Sequence, residues 1–390
     1  MEALLERSRL RLLLDHFSEV ADPREAWRVA HPLPEVLLLV VCGSMASCDD
    51  FDDIAAWGEA HLSFLRGILP FDHGVPGERW LNILMNRIDP GLFSACFTAW
   101  ARALRPDAPD LAVPDLIAVD GKTSRRTHDR AVGKAALHLV SAFATRERLV
   151  LGQEAVAAKS NEIEAIPILL ERLAEGDGLK GALVTIDAIA CNPRIAGEIV
   201  GHGADYLLAV KANQSVLQGE VERFFADAPP GALDTHRDLD KDHGRIEDRR
   251  AFVSRDVGWL TGERRFPGEA RFPAIACVAK VETRTELADR CRSETRFFIS
   301  SRPLTASQLA TAVRAHWQIE NALHWVLDVT FREDMSRLRK GHGAANMAVV
   351  RHFALNLIRG ASDKHSLKTR RKLAGWSDNY LASLLNPTAR

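Results

Sequence analysis

Two short runs decide the fold: Leu116-Ile117-Ala118-Val119-Asp120-Gly121 and, further along, Leu183-Val184-Thr185-Ile186-Asp187. Each is an apolar stretch of strand length that ends in an aspartate, and the spacing predicts two buried strands with a carboxylate at each carboxyl end. Leu137 to Phe143 and Leu149 to Val156 read as two more strands, separated by the charged turn Arg146-Glu147-Arg148. Residues 161–173 carry apolar side chains at 163, 166, 169, 170 and 173, which is helical spacing, and Gly176 and Gly178 end that helix. A helix over Pro193 to Val200 and a strand over Tyr206 to Val210 follow. Strand-strand-strand-helix-strand-helix-strand is the pattern of a mixed α/β sheet.

The flanks differ from this centre. Residues 1–105 read as helical, with Leu4, Leu5, Leu10, Leu12, Leu13 and Phe17 on a first amphipathic helix and Pro34 in the first turn of a second. Asp49, Asp50, Asp52 and Asp53 stand where a helix start needs caps and negative charge, with a metal site as the rival reading. Pro106, Pro109 and Pro114 mark a linker. A helix is expected over residues 213–226. Residues 232–300 are charge-rich and alternating, with strands expected over Arg271 to Glu282 and Arg296 to Ser300, so they read as a β-rich insertion. A long helix is expected over 305–331, and 361–390 as a basic C-terminal tail.

Composition narrows the function. Hydrophobic residues make up 46% of the chain and charged residues 26%, which excludes a disordered polymer. Lys and Arg total 51 against 52 Asp and Glu, so binding to nucleic acid by bulk charge alone is excluded while local basic patches are not. None of the six cysteines forms a C-x-x-C pair, and a chain with its own core needs no disulfide framework; a reducing cytoplasm is the expected compartment. The first 17 residues lack the unbroken apolar run of a signal peptide, and Val36 to Cys42 is too short to span a membrane.

Asp120 and Asp187 carry the candidate chemistry. Open α/β sheets bind ligands at the carboxyl ends of their strands. Neighbouring carboxylates there suit Mg²⁺, and a third acid allows the two-ion arrangement that drives in-line phosphoryl transfer. The helix over 305–331 offers it: His316, Glu320, His324 and Asp328 are spaced by four and drift slowly round one side. Zinc is a rival for His316 and His324, although the H-E-x-x-H order is absent.

Several strings together resemble a known family. Asp120-Gly121-Lys122-Thr123, His138-Leu139-Val140-Ser141-Ala142-Phe143, Lys159-Ser160-Asn161-Glu162-Ile163, Thr185-Ile186-Asp187-Ala188, Val210-Lys211-Ala212-Asn213-Gln214, His243-Gly244-Arg245-Ile246-Glu247 and His316-Trp317-x-Ile319-Glu320-Asn321-x-Leu323-His324-Trp325 are similar to the H-repeat-associated (ISAs-type) transposases of bacterial insertion sequences. The resemblance implies a DDE enzyme: an RNase H-like mixed-sheet catalytic domain over 115–360 with its β insertion, preceded by a helical domain over 1–105. It implies Asp120, Asp187 and Glu320 as catalytic metal ligands, 67 and 133 residues apart in sequence. It also implies two Mg²⁺ or Mn²⁺ ions, double-stranded DNA as substrate (the element's terminal inverted repeats and target DNA), and a homodimer on that DNA acting at the nucleoid. The related wider group has Tyr, Arg and Lys around its Glu where this chain has Val313, His316 and Leu327, which leaves Asp328, Glu333, Asp334 and Glu162 as rival acids.

DNA contacts need Arg and Lys on one face rather than a basic whole. Lys122, Arg125, Lys159, Lys211 and Arg245 are the candidates, with Arg126, Arg249, Arg250 and Arg370-Arg371-Lys372 behind them. Trp317 and His324 join them on the third-acid helix; Trp317 and Trp325 could stack on a base or simply pack in the core. Two alternatives to a transposase remain: a DNA-binding relative that no longer cuts and represses transposition, and a nuclease that hydrolyses without joining.

Overall fold

The computed structural model describes residues 8–105, 114–129, 133–156, 162–187, 191–229, 231–242, 245–262, 269–287 and 289–386. Its strands are β1 (Leu116–Ser124), β2 (Leu137–Ala144), β3 (Leu149–Val156), β4 (Leu183–Ile186), β5 (Asp205–Val210), β6 (Asp234–Asp242), β7 (Arg245–Ser254), β8 (Cys277–Glu286) and β9 (Cys291–Ser300). All nine join one sheet in the order β3-β2-β1-β4-β5-β9-β8-β7-β6. β1, β4 and β5 are parallel; β2 pairs antiparallel with β1 and β3 antiparallel with β2, so of these five strands β2 alone runs the opposite way. That five-strand order and direction is the RNase H-like arrangement the family resemblance implied.

The insertion belongs to this same sheet. β9 pairs through Phe297–Ser300 with β5, and β8, β7 and β6 add on antiparallel. The strand expected from Arg271 begins only at Cys277, because Pro273 lacks the N–H a ladder needs and Ala274 takes a φ of 54°.

Alternation along β1 sorts the two faces. Ile117 and Val119 join a core under α7 (Glu162–Ala174), α8 (Pro193–Gly201) and α9 (Ser215–Asp227). Leu116 and Ala118 face the opposite way, into a core shared with the helices at the two ends of the chain. Those are α1 (Arg9–Glu19), α2 (Leu33–Met45), α3 (Phe51–Ala60), α4 (Leu62–Arg66), α5 (Glu78–Met85) and α6 (Pro90–Ala103), which precede the sheet, and α13 (Gly343–Arg359), α14 (Leu367–Trp376) and α15 (Asp378–Leu385), which close the chain; a short α10 (Gly258–Thr261) lies between β7 and β8.

Local chemistry explains the helix starts. Asp50 accepts from the Asp53 amide at 2.9 Å and caps α3, so the acidic cluster at 49–53 begins with a cap, as one of its two readings had it. Asp89 caps α6 ahead of Pro90. Asn356 on α13 donates to the carbonyl of Val150 at 2.9 Å and accepts from its amide at 3.0 Å, which satisfies part of the open edge of β3.

Two expectations need correction here. Residues 367–385 are no free basic tail: α14 and α15 pack onto the helical layer, Arg371 reaches the Ser44 carbonyl at 2.9 Å, the Thr330 carbonyl and Asp49, and Arg370 holds Asp363 and the Ile358 carbonyl. Both guanidiniums are buried and unavailable to phosphates. The long helix over 305–331 is interrupted. α11 (Ala306–His316), with a Thr305/Gln308 capping box, gives way to a π-helical turn over Ile319–His324 and then to α12 (Trp325–Val329). Neither glycine nor proline marks this break.

Candidate active site

Asp120 does not end its strand. β1 continues to Ser124 paired with β2, whereas its pairing with β4 stops at Val119 opposite Ile186. The Asp120 side chain therefore emerges where the parallel part of the sheet ends, on the face of Leu116 and Ala118. Asp187 follows the last residue of β4, and Lys211 the last of β5. The π-helical turn lies over this face and brings Glu320 and His324 to Asp120. One donor atom from each of Asp120, Glu320 and His324 lies within 4.8 Å of the other two, the one such group among the described residues.

His324 Nδ1 is 3.0 Å from Oε2 of Glu320 and 3.6 Å from Oδ2 of Asp120. Asp187 lines the same cleft but stands outside that trio, 3.3 Å from the Lys211 ammonium. His316 also lines the cleft, with its Nδ1 2.8 Å from the Thr185 hydroxyl. Burial lifts the Asp120 carboxyl to about 6; the Glu320 and Asp187 carboxylates add to that, while His324 and the Gly121 amide pull it back. Glu320 is held below the ordinary carboxylate range, chiefly by its hydrogen bond with His324. Burial keeps His316 neutral, down to about 4. Three carboxylates crowded round one cleft form a charge state that a cation relieves, and the carboxylate and imidazole donors fit a divalent ion.

The rival acids lie elsewhere. Asp328, Glu333 and Asp334 gather on Lys122, at 2.6, 3.0 and 3.8 Å from its ammonium. Burial alone would lower the Lys122 pKa, but Glu333 and Asp328 more than offset this and leave it raised. Lys122 was expected to contact DNA; its side chain is only 9% exposed and its ammonium faces these carboxylates, an arrangement that speaks against a phosphate contact. Glu162 sits beside Gly121, on the other face of β1, where its Oε1 meets His138 Nε2 at 2.6 Å.

The other DNA candidates divide. Arg125 is exposed and near Asp334, and Arg245 is half exposed beside Glu247. Lys159 lies outside the described residues. Trp317 and Trp325 are 51% and 57% exposed, so core packing does not account for them. The Arg296 guanidinium sits 5.6 Å from the Trp317 ring centroid.

Arg296 was missed from sequence, although Glu294, Arg296 and Phe298 alternate onto the cleft face of β9. A groove of about 730 Å³ adjoins the cleft between β6–β9 and α11, and Arg245, Arg249, Arg292, Arg296 and Arg314 line it, with Trp317 at the junction. Asp238 and Asp240 bind Arg314 on one wall.

Fold and site together give an RNase H-like sheet with an acidic cleft at the end of its parallel strands, and comparison with known proteins gives the class. Residues 111–357 match the family described as "Transposase DDE domain", and residues 14–101 match "DDE_Tnp_1-associated". The chain belongs to the DDE transposase family, in its H-repeat-associated group. It is 36% identical over 382 residues to "H repeat-associated putative transposase YhhI" of Escherichia coli (strain K12), covering 96% of this chain and 98% of that one. It is 37% identical over the same length and shares to "Putative protein YbfL" of that strain. Among solved structures it matches the piggyBac transposase synaptic complex with hairpin DNA at 10% identity and a TM-score of 0.45, over 98% of this chain and 82% of that one. No helix among the described residues is long and apolar enough to cross a membrane.

Proposed function

We propose that this chain is an active transposase that cuts DNA at the ends of its element and joins the freed ends to target DNA. The observation that carries the reading is the meeting of Asp120 with Glu320, 200 positions apart in sequence, in one cleft with Asp187. Asp120, Asp187 and Glu320 would hold two divalent ions, Mg²⁺ or Mn²⁺, which when bound would supply activation of the attacking oxygen and charge stabilisation of the leaving one. Water first attacks the phosphodiester at the element end, breaking a P–O bond and leaving a 3′-hydroxyl. That hydroxyl then attacks a target phosphodiester, forming one P–O bond as another breaks. No covalent link to the protein is involved.

Phosphates flanking the reacting bond lie along the arginine-lined groove, whose guanidiniums neutralise them. The exposed faces of Trp317 and Trp325 offer stacking surfaces to bases. Arg125, Arg245 and Lys211 add contacts at the rim. Two copies pair the two element ends, and the enzyme works on chromosomal DNA in the cytoplasm.

The test is Mg²⁺-dependent cleavage and joining of DNA bearing the element's own ends, with Asp187→Ala as control. Both activities should appear and vanish together in the variant. Cleavage without joining would make the protein a nuclease; tight end binding without cleavage under any divalent ion would leave a DNA-binding repressor.

A further inference from the structure

The DDE reading assigns the metal to three carboxylates, but the chain gathers a different trio. Asp187 is drawn to Lys211, and the donors that meet Asp120 and Glu320 come from His324. This imidazole is buried at 4% exposure, fixed by the π-helical turn that carries both it and Glu320. Its Nε2 is sealed from solvent with no hydrogen-bond partner among the described residues. Burying an imidazole in that way is costly, and only Nδ1 is left to compensate. Nδ1 points into the gap between the two carboxylates.

The separations suit coordination as well as they suit a hydrogen bond. Ligands at right angles on an ion with bonds of about 2.1 Å stand about 3 Å apart, and wider angles give more. The observed 3.0 Å to Glu320 and 3.6 Å to Asp120 fall in that range without any side chain turning.

Resting on the proposed function, we infer that His324 is itself a metal ligand, and that Asp120, Glu320 and His324 form a mixed oxygen–nitrogen site. Asp187 then serves the second ion with Asp120. A nitrogen donor raises affinity for first-row transition dications relative to Mg²⁺, so the site prefers Mn²⁺. His316 and His324 do not share the metal as a zinc pair would: His316 is turned to Thr185 and stands outside the trio.

The probe is Mn²⁺ alone, added to the full-length protein without DNA and followed by electron paramagnetic resonance. Electron spin-echo modulation from a coordinated imidazole ¹⁴N is expected in the wild type, converting to the ¹⁵N pattern when the protein is grown on ¹⁵N-histidine. His324→Gln should abolish that modulation and weaken Mn²⁺ binding about 10- to 100-fold, the range seen even when outer-shell partners of a metal site are lost. Mg²⁺ binding, followed by competition, should weaken less. His316→Gln should leave the modulation in place.

Mn²⁺ bound without nitrogen modulation in the wild type overturns the assignment and leaves the carboxylate site standing. Modulation that survives His324→Gln and disappears in His316→Gln overturns it too. Failure of the wild type to bind Mn²⁺ at all refutes the metal-dependent function along with it. The wild-type spectra decide whether any imidazole coordinates the ion, and retention of the modulation in His316→Gln excludes the other histidine of the cleft even if His324→Gln folds poorly.

Discussion

Replacing Lys122 by methionine separates two roles for that residue. The ammonium is nearly buried and lies within 4 Å of Asp328, Glu333 and Asp334. Lys122→Met keeps the aliphatic stem and removes the charge. Glu333, 2% exposed, then retains Arg351 at 3.5 Å as its remaining ion-pair partner among the described residues. Breaking a buried ion pair by removing one side costs about 3–5 kcal/mol, because the other charge is stranded. Since Arg351 remains, the expected loss is at the low end, about 3 kcal/mol. The same replacement in a Glu333→Gln background strands no carboxylate there and costs about half as much. Urea unfolding at pH 7 measures all four proteins of this cycle. Affinity of the folded variant for end DNA, and its dependence on salt, should match the wild type, since the ammonium faces carboxylates. Unchanged stability, together with weaker DNA binding and a salt slope reduced by about one, would refute the reasoning and return Lys122 to the phosphate contacts.

Asn356→Ala leaves both the amide and the carbonyl of Val150 without their partner on the β3 edge, and should cost about 2–4 kcal/mol by urea unfolding. Gly121→Ala places a Cβ 2.5 Å from Glu162 Oε1 and 2.8 Å from His138 Nε2, which must part; about 1–3 kcal/mol is expected, partly recovered with Glu162→Ala, as thermal unfolding would show. His352, fully buried on α13, is held neutral by burial, down to about 4. Below pH 6.5 the unfolded chain takes up a proton there that the folded chain refuses. Stability from this group is therefore lost progressively as pH falls from 6.5 to 4, by about 3 kcal/mol in all. His352→Leu should flatten that part of the pH profile of unfolding; an unchanged slope would remove His352 as its source.

The sheet's centre was legible because its strands carry compact apolar runs, two of them followed by an aspartate, and because the 162–174 helix shows a clean period. The outer strands were harder to read. β6, Asp-Thr-His-Arg-Asp-Leu-Asp-Lys-Asp, is an edge strand whose charged residues mask any alternation. Along β9 burial rises only from Arg296 onward, where the strand meets β5, so its first half reads as surface. The π-helical turn left no mark in a sequence that fits an unbroken helix equally well. Asp120 and Glu320 could be named by residue type and position, but their meeting depends on how the chain folds over the sheet. Lys122 shows the limit of reading charge locally: the partners that settle its role stand 206 to 212 positions further along. His324 was noticed as part of the helix stripe, but the direction of its Nδ1 is a property of the packed turn.

The return of α14 and α15 to the first helices has a consequence for synthesis. Arg371 closes on the Ser44 carbonyl across 327 positions, and Leu381, Leu384 and Leu385 complete the core that α2 begins. While the ribosome is still making the sheet, the apolar surface of α2 has no such cover. The helical layer can finish folding only when residues 367–385 have emerged, so its assembly is among the last events and carries a long loop-closure cost. A message that stops early, for instance at a nonsense codon near residue 360, yields a chain with its acids present and α2 incompletely covered. Such a product is a substrate for aggregation and proteolysis before it is an enzyme. The order in which the helices leave the ribosome thus places the closing of this core after the sheet that lies between its two halves in sequence.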